Sequence, residues 1–340
     1  MSYRLSFIFS KLCNNNREGM IYLKKKILDI LSSSSEYISG EKISNKLNIS
    51  RTAVWKHIKN LKNDGYEIES VTNKGYKLLS SPDIINENDI SKHLTTDFIG
   101  RNMMIFDQTD STNTQAKLHS SYPDGTVFIA DIQNQGKGRR GRKWISPKGT
   151  GVWNTILLKP DISLSDVSQI TLIAGLAACK AIGLDSKIKW PNDIVIGSKK
   201  VCGILTEMAA EIDHVNYVVC GIGINVNDTD FDKDISHRAT SMYIESGKKY
   251  KRNEIIARLL NEFEIFYKKF LDGGLSSVID DYKAFCVTLE KDVSVIFKHE
   301  TVTGKAIDVN DSGELIVKTK NGNIIVNSGE VSVRGIYGYI

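Results

Sequence analysis

The segment from Gln133 to Trp144 combines positive charge and glycine in a way that suits anion binding. Its sequence, QNQGKGRRGRKW, places five Lys or Arg side chains and three glycines within twelve residues. Glycine lets backbone N–H groups come close to a phosphate, while Arg and Lys supply charge and hydrogen-bond donors. We therefore predict a loop that orders over a nucleotide or another phosphoanion. This segment alone leaves two alternatives open, a solvated basic surface loop and a nucleic-acid contact.

A second dense motif is KWPND at residues 189–193, followed by an apolar run, a turn and KVCGILTE at residues 200–207. The pattern predicts a hairpin of two buried strands. Asp193 would lie near the start of the first strand and Lys200 just before the second, so that carboxylate and ammonium could meet across the hairpin mouth. Such a pair is more often a surface ion pair, worth about 0 to 1 kcal/mol, than a catalytic one. Gly203 beside it favours close approach of a ligand.

Two familiar nucleotide-binding motifs do not account for the glycines. The sequence GIGINVN at residues 221–227 resembles a dinucleotide fingerprint, but Val226 occupies the place of the third glycine and no helical pattern follows. The basic loop fails as a Walker A motif because Gly138 follows Lys137 where Ser or Thr is needed. The sequence therefore predicts neither a Rossmann cofactor site nor a P-loop.

Composition indicates an ordinary globular protein of two or three domains. The chain has 340 residues, of which 41% are hydrophobic and 25% charged. Its net charge of +5 is too small to mark the whole protein as a nucleic-acid coat, so any DNA contact must be local. No apolar stretch approaches the length of a membrane span, and we expect a cytoplasmic protein without membrane contact.

The five cysteines and six histidines are scattered along the chain. No C-x-x-C pair and no H-x-x-x-H pair occurs. We therefore predict reduced cytosolic thiols and no metal held by the protein alone. A histidine base is not indicated, so the chemistry must rest on other groups.

Residues 20–80 have the pattern of a winged helix-turn-helix. Three helical patterns precede two alternating strand patterns, and the third helix is capped by Ser50. Between Gly40 and Leu79 there are eight Lys or Arg side chains and four acidic ones, the local surplus that DNA binding requires. A solvated charged face is the alternative. The side chains expected to contact DNA lie on the third helix, its cap and the hairpin: Ser50, Arg51, Thr52, Trp55, Lys56, Lys59 and Lys74.

The pattern of helical and strand-like runs divides the remaining chain into an N-terminal extension and two further domains. Residues 1–19 are expected to be a disordered extension, with Met20 as an alternative natural start. After a Ser- and Pro-containing linker, residues 81–285 mix strand-like and helical runs, which indicates an α/β or α+β domain around one sheet. Residues 286–340 consist of short strands separated by turns, which predicts a small β-barrel. The fold class is therefore α+β multidomain.

Four motifs together resemble one family. The basic glycine loop, KWPND, K-x-x-G-I-L and GIGIN occur in the order typical of biotin protein ligases. With the N-terminal winged helix, the chain resembles the bifunctional biotin ligase and biotin operon repressor over about residues 20–340. The resemblance implies a central domain of the biotin/lipoyl ligase type and a C-terminal SH3-like β-barrel.

The resemblance also implies a two-step reaction. Biotin and MgATP would give biotinyl-5'-AMP and pyrophosphate, and a lysine of a biotin carboxyl carrier protein, the acetyl-CoA carboxylase subunit, or of another biotin-dependent carboxylase would then attack the mixed anhydride. Biotinyl-AMP would double as corepressor and favour a homodimer on operator DNA. Many cations and little histidine suit such chemistry, which proceeds by positioning and charge neutralisation.

By the same resemblance, roles can be assigned to individual residues. Lys200, Arg139 and Asp193 would be catalytic, with Lys200 bridging the biotin carboxylate and α-phosphate and Asp193 as base for the acceptor lysine. Biotin would be bound by Ser111, Thr112, Asn113, Gln133, Gly136, Lys137, Gly138, Arg139, Lys200, Gly203 and Ile204. The nucleotide would be bound by Arg139, Arg140, Arg142, Trp144, Lys200, Asn225 and Arg334.

One departure and two alternatives accompany this interpretation. Lys137 stands where the family loop usually has Arg, so charge is kept but the bidentate fork is lost. Ser111 is also a candidate helix N-cap. The first alternative function is a regulator that senses biotin without catalysis, against which the retained Lys200 and Asp193 argue. The second is a lipoyl ligase, weakened because the glycine-rich pocket motif of that class is absent.

Overall fold

A computed structural model of the chain describes residues 18–212, 214–297, 300–328 and 332–335. The expected extension at residues 1–19 lies outside the described residues except for its last two positions. The chain divides into two compact units, with the boundary between Ile84 and Ile85.

The first unit is a three-helix domain with a two-stranded wing, as predicted. A serine begins each of the second and third helices: the hydroxyl of Ser39 accepts the N–H of Lys42 at 3.1 Å, and that of Ser50 accepts the N–H of Ala53 at 3.1 Å. Asn48 ends the second helix in the left-handed region at φ 52°. The elements are α1 (Glu18–Ser32), α2 (Gly40–Leu47), α3 (Arg51–Asn63), β1 (Glu67–Val71) and β2 (Gly75–Ser80).

Helix α3 separates an apolar face from a basic one. Val54, Ile58 and Leu61 recur at helical spacing and are buried against the other elements of this unit. The opposite face holds those predicted DNA-contacting side chains that belong to the helix, and Trp55 is 55% exposed there. The ammonium of Lys59 lies 5.4 Å from the centroid of the Trp55 ring, a cation–π contact on the helix surface.

The second unit is built on a seven-stranded mixed sheet. Its strand order is β3-β4-β5-β9-β8-β7-β6, in which β3 and β4 are parallel and the other neighbours are antiparallel. The strands are β3 (Met103–Phe106), β4 (Val127–Ala130), β5 (Gly151–Leu158), β6 (Lys187–Lys189), β7 (Asp193–Ile196), β8 (Lys199–Glu211) and β9 (His214–Asn225). The helices are α4 (Glu87–Ser91), α5 (Thr112–Leu118), α6 (Gln169–Ile182), α7 (Met242–Ser246), α8 (Arg252–Gly273) and α9 (Ile279–Phe285).

Alternation along the strands gives each face of this sheet its own core. Val127 and Ile129 of β4 belong to the large core that includes α6 and α8. Phe128, between them, belongs to a smaller core with Ala116 of α5 and Leu157 of β5. The sheet is therefore covered on both sides, and α5 begins on the face opposite to α6 and α8.

The C-terminal part is a five-stranded antiparallel sheet with the order β13-β12-β11-β10-β14. Most of its valines share the large core of the second unit, and the indole N–H of Trp190 donates to the carbonyl of Gly313 at 3.0 Å. This sheet is compatible with the predicted SH3-like barrel. The strands are β10 (Asp292–Ile296), β11 (Thr301–Val309), β12 (Leu315–Thr319), β13 (Gly322–Val326) and β14 (Ser332–Gly335).

The described cysteines are buried free thiols: Cys179, Cys202, Cys220 and Cys286. Burial raises the pKa of Cys179 and of Cys220 to about 12, so both thiols stay protonated at neutral pH. In the part of the chain that the structure describes, no group of three or more His, Cys, Asp or Glu is placed to hold a metal ion. None of the described helices is long and apolar enough to cross a membrane.

Candidate active site

A cavity open to solvent lies over β8 and β9, between the start of α5, the basic glycine loop and the KWPND segment. It brings together most of the residues that sequence predicts for biotin. Gly136 is the one predicted biotin residue that does not line it. The lining residues are Ser111, Thr112, Asn113, Gln133, Lys137, Gly138, Arg139, Trp144, Trp153, Asn154, Asn192, Lys200, Gly203, Ile204, Leu205, Gly221, Ile222 and Gly223.

Three glycines make the floor of the cavity because neighbouring side chains lie directly on the backbone. A Cβ at position 221 would lie 2.1 Å from Oδ1 of Asn113, and one at position 223 would lie 2.5 Å from the indole nitrogen of Trp144. A Cβ at position 203 would meet both Trp144 and the ammonium of Lys200 at 2.9 Å. Gly203 and Gly223 are paired across β8 and β9. The GIGIN motif is therefore a strand that admits close approach, not a phosphate-binding turn.

Strand alternation limits the contact of Ile204, a predicted biotin residue, to its backbone. Gly203 faces the cavity, so the next residue must point to the other face of the sheet. The side chain of Ile204 accordingly belongs to the large core, 2% exposed, and its cross-strand partner Ile222 lies in the same core. Leu205, which sequence reasoning missed, is paired with Gly221 on the cavity side. Ile204 contributes backbone, whose N–H and carbonyl both bond to Asn192.

Replacing Gly221 by alanine is predicted to lower biotin affinity at least about tenfold and to cost about 1–3 kcal/mol of stability, because the methyl group would displace Asn113. Isothermal titration with biotin and thermal unfolding measure the two effects. Gly175→Ala in α6 is the control, since its Cβ would find its nearest neighbour at 3.8 Å, an ordinary contact. Unchanged biotin affinity in Gly221→Ala would show that Asn113 is not held against the floor.

The start of α5 presents two hydroxyl side chains to the cavity. Ser111 occupies the N-cap position, but its side chain makes no capping hydrogen bond. The N–H and hydroxyl of Thr112 donate to Oε1 of Gln133 at 2.8 and 3.1 Å, and Nε2 of Gln133 donates to the Ser146 hydroxyl at 2.8 Å. Gln133 and Ser146 stand at the two ends of the basic loop. The biotin candidates on α5 are thereby tied to the base of that loop.

Asp110, one residue before, holds this turn together. Its carboxylate accepts hydrogen bonds from the side chain of Gln115 at 2.9 Å, the N–H of Ser111 at 2.6 Å and the hydroxyl of Thr109 at 3.0 Å. Burial alone would raise the pKa of Asp110, but these donors outweigh it and hold the pKa below its usual value. The carboxylate therefore stays charged and fixes the direction in which α5 begins.

Lys200 and Asp193 meet across the hairpin mouth, as the motif spacing predicts. The Lys200 ammonium donates to the Asp193 carboxylate, and it lies 5.1 Å from the ring centroid of Trp144. Lys200 is the second residue of β8 rather than a residue before it, because β8 begins at Lys199. The side chains of Lys200 and Asp193 keep 23% and 17% of their surface exposed, so the pair remains open to a ligand.

Arg139 reaches the same place from the basic loop. Its guanidinium donates to Oδ1 of Asn192 at 2.8 Å and to the carbonyl of Ser328, which follows β13. Burial lowers the pKa of Arg139, and the nearby charge of Asp193 raises it in part. Two cations therefore converge on one carboxylate at the cavity mouth. Such a cluster can accept an anion by exchange for part of the Asp193 contact.

The basic glycine loop is folded as an irregular hairpin over the cavity. Lys137 and Lys143 form an antiparallel bridge, and a short 3-10 turn at Arg139–Gly141 lies between them, with Arg140 in the left-handed region at φ 57°. The Lys137 ammonium donates to the Thr114 hydroxyl at 2.9 Å, and this hydrogen bond ties the loop to α5. We call residues 133–146 the lid.

Trp144 is the lid residue that contacts the cavity floor. Its indole lies against Gly203 and Gly223, and it meets Trp153 edge to face with ring centroids 6.3 Å apart. Its Nε1 is buried and has no hydrogen-bond partner in the part of the chain that the structure describes. A buried donor without a partner beside a cavity is unusual and is satisfied at low cost by a ligand acceptor.

Some predicted nucleotide residues do not line this cavity. Arg140 and Arg142 are exposed on the lid. Asn225 is buried, and its side-chain amide donates to the carbonyl of Thr240 at 3.0 Å, which holds the segment after β9. Arg334 pairs through its backbone with Ser294 in the C-terminal sheet, and its side chain lies outside the described residues. Their assigned contacts with the nucleotide stay predictions.

Comparison with known proteins identifies the domains of this chain. Residues 105–225 match the biotin/lipoate A/B protein ligase family, residues 24–77 match the HTH domain, and residues 288–334 match the biotin protein ligase C terminal domain. The crystal structure of the biotin protein ligase from Aquifex aeolicus in complex with biotin and ATP is 30% identical, with a TM-score of 0.63, and covers 69% of this chain and 99% of that chain.

Two curated relatives match this chain over most of its length. The bifunctional ligase/repressor BirA of Bacillus subtilis is 38% identical over 320 residues, which is 92% of this chain and 98% of that protein. The BirA of Escherichia coli is 26% identical over 314 residues, which is 91% of this chain and 96% of that protein. Fold and cavity thus define a protein ligase of the biotin/lipoate class with a DNA-binding domain. Within that class, the chain belongs to the bifunctional ligase/repressor family.

Proposed function

We propose that this chain is an ATP-dependent biotin protein ligase that also represses transcription by binding DNA. The observation that carries the ligase function is the meeting of Lys200, Asp193 and Arg139 at the mouth of a cavity whose floor is glycine. We place the ring end of biotin over this glycine floor, where the cations can neutralise the anions that must react at the cavity mouth. Biotin and MgATP are the substrates, and the metal enters with the nucleotide.

In the first step, a carboxylate oxygen of biotin attacks the α-phosphorus of ATP. The new C–O–P bond gives biotinyl-5'-AMP, and the bond to the β-phosphate breaks and releases pyrophosphate. Two anions must approach each other, so the barrier is dominated by charge repulsion. Lys200 and Arg139 reduce this repulsion, Lys200 between carboxylate and α-phosphate and Arg139 from the lid. No proton transfer is needed, which agrees with a site that has no histidine among its lining residues.

In the second step, the ε-amine of an acceptor lysine attacks the acyl carbon of the adenylate. The amide bond forms, the acyl–oxygen bond breaks and AMP leaves. The amine must lose a proton, and Asp193 is the carboxylate at the cavity mouth that can accept it. The acceptor is a biotin carboxyl carrier protein or another biotin-dependent carboxylase. The family assignment supports this class of acceptor.

The function is tested by incubating the protein with biotin, MgATP and a biotin-acceptor domain. A mass increase on the acceptor by one biotinyl group, dependent on ATP, is the expected result. Binding of biotin without adenylate would instead indicate a sensor. Offering lipoate in equimolar competition separates the lipoyl ligase alternative, since only biotin should be transferred.

The repressor function rests on the first unit. Trp55 and the cations of α3 and the wing form an exposed face on a helix-turn-helix domain. We propose that this face enters the major groove of an operator. Biotinyl-AMP would act as corepressor and favour a homodimer, whose two copies match a palindromic site. Sedimentation of the protein with and without biotinyl-AMP measures the dimer.

Lys56→Ala is predicted to weaken operator binding about tenfold at moderate salt and to lower the salt slope of log K by about 1, because one phosphate contact is lost. Electrophoretic or fluorescence titration at several salt concentrations measures both quantities. Lys25→Ala is the matched control, because Lys25 is an exposed cation of α1 in the same domain. An equal loss of operator affinity in both variants would mean that α3 contributes to DNA binding only through the net charge of the domain. Ligase activity should stay unchanged in either variant.

A further inference from the structure

The side-chain amide of Asn113 is held in one orientation by groups that can only accept hydrogen bonds. Its Nδ2 lies 2.8 Å from Oε2 of Glu207 and 3.2 Å from the carbonyl of Leu205. An ionised carboxylate and a backbone carbonyl have no proton to give. Both positions therefore require the N–H₂ end of the amide, and Asn113 cannot be turned over without losing two hydrogen bonds.

Glu207 is itself held in place and charged. Its second oxygen, Oε1, accepts the Lys117 ammonium of α5 at 2.6 Å. Burial alone would raise the pKa of Glu207, but hydrogen bonds from Asn113 and Lys117 and the charges of Lys117 and Lys137 keep it below its usual value. Glu207 is thus a carboxylate that links α5 to β8 behind the cavity wall, and it does not line the cavity.

The other end of the Asn113 amide points to the cavity. Oδ1 accepts the hydroxyl of Thr155 at 2.6 Å, and it lies over the bare backbone of Gly221 on the cavity floor. A carbonyl oxygen has two lone pairs, so one remains for a ligand donor. Thr155 has one hydroxyl proton, which Asn113 takes. The Thr112 hydroxyl lies 2.8 Å from that of Thr155, and its proton can go to Thr155 or to Gln133. We call Asn113, Thr155 and Thr112 the biotin-recognition wall, and this wall therefore presents hydrogen-bond acceptors to the cavity.

We propose that Glu207, supported by Lys117, is a positioning residue that sets the polarity of the biotin-recognition wall: it keeps the Asn113 carbonyl oxygen toward the ligand, where that oxygen reads a ureido N–H. The proposal rests on the biotin ligase function. It explains why the cavity selects a ureido ring over rings that lack an N–H at this position. It predicts that the ligand group facing Asn113 must be a donor. A ring atom that only accepts is rejected there, because two acceptors would face each other without a proton.

The experiment compares biotin with two cyclic carbamate analogues, in each of which one ureido N–H is replaced by oxygen. Dissociation constants are measured for wild type, Glu207→Ala and Glu207→Gln, together with kcat and the KM of ATP at saturating biotin. In wild type, at least one analogue should bind at least tenfold more weakly than biotin. In Glu207→Ala, biotin should bind about tenfold more weakly, and the penalty for that analogue should fall to within about twofold, since the amide can turn and offer Nδ2.

Glu207→Gln should recover most of the affinity for biotin and most of the discrimination, because its amide oxygen still accepts from Asn113. The kcat and the KM of ATP should change by less than about twofold in both variants. Glu211→Ala is the matched control, since Glu211 is an exposed carboxylate at the far end of the same strand. If Glu207→Ala does not fold, Lys117→Met tests the same link by removing the partner of the carboxylate.

An unchanged penalty for the analogues in Glu207→Ala would overturn the proposal, as would loss of kcat and of biotin affinity in parallel. Failure of the ligase function is recognised separately, because wild type itself would then form no adenylate. If wild type forms adenylate but binds both analogues with the same affinity as biotin, the proposed polarity of the wall is refuted and the ligase function is not.

Discussion

Lys200→Ala will lower the rate of biotinyl-AMP formation roughly a thousandfold, close to the background of the assay. The ammonium at the cavity mouth is the group best placed to lie between two reacting anions, and its removal also leaves the Asp193 carboxylate without that partner. Loss of a single charge-stabilising donor commonly costs a hundredfold to a thousandfold, and here the repulsion of Asp193 for both substrates adds to it. Pyrophosphate release with biotin and MgATP measures the rate.

Two further variants make this result specific. Lys199→Ala removes a neighbouring cation on the opposite face of β8 and should leave the rate within about twofold. Lys200→Arg keeps the charge with a different shape and should retain intermediate activity. Operator binding by the ligand-free protein should be the same in all three, because the first unit is untouched. Wild-type adenylate yield in Lys200→Ala would refute the role assigned to this lysine.

The second large effect is expected for Arg139→Gly, which should shorten the lifetime of bound biotinyl-AMP by about tenfold to a hundredfold. Arg139 ties the lid to Asn192 of the KWPND segment and to the Ser328 carbonyl in the C-terminal sheet. Without the guanidinium, the lid loses both anchors and the phosphate loses a cation. Adenylate should then escape and acylate exposed lysines of bystander proteins, which mass spectrometry of an added lysine-rich protein detects.

Lys143→Ala is the control for lid charge, since Lys143 is exposed on the same hairpin and lies outside the cavity lining. Its adenylate lifetime should match wild type within about twofold. Equal lifetimes in Arg139→Gly and wild type would mean that the lid is held closed by contacts other than this side chain. The rate of adenylate formation in Arg139→Gly should fall less than its retention, because Lys200 remains.

The pattern of four motifs, with its resemblance to one family, was enough to predict which segments meet at the site. It placed Lys200 opposite Asp193 because the two lie on one short hairpin, where pairing follows from the turn. Strand alternation would also have predicted that the side chain of Leu205, and not that of Ile204, faces the cavity, once Gly203 was taken to face it. Local geometry is predictable because few residues separate the partners.

Contacts between distant segments could not be obtained in this way. Asn113 and Glu207 are 94 residues apart, and Arg139 and Ser328 are 189 apart. Both contacts depend on how α5 and the C-terminal sheet pack against β8 and the lid, which no motif describes. The left-handed turn at Arg140 was equally hidden, because the sequence there offers glycines on either side that could have taken that conformation.

The indole of Trp190, bonded to the carbonyl of Gly313, has a practical meaning for protein engineering. Trp190 is nearly inaccessible, and the C-terminal strands around it complete the same core as the catalytic helices. Truncating the chain near residue 286 to make a smaller biotinylating enzyme would therefore remove the packing around the KWPND motif and the Ser328 carbonyl that anchors the lid. Fusion partners and truncations are better placed at the boundary between Ile84 and Ile85, where the chain leaves one compact unit for the next.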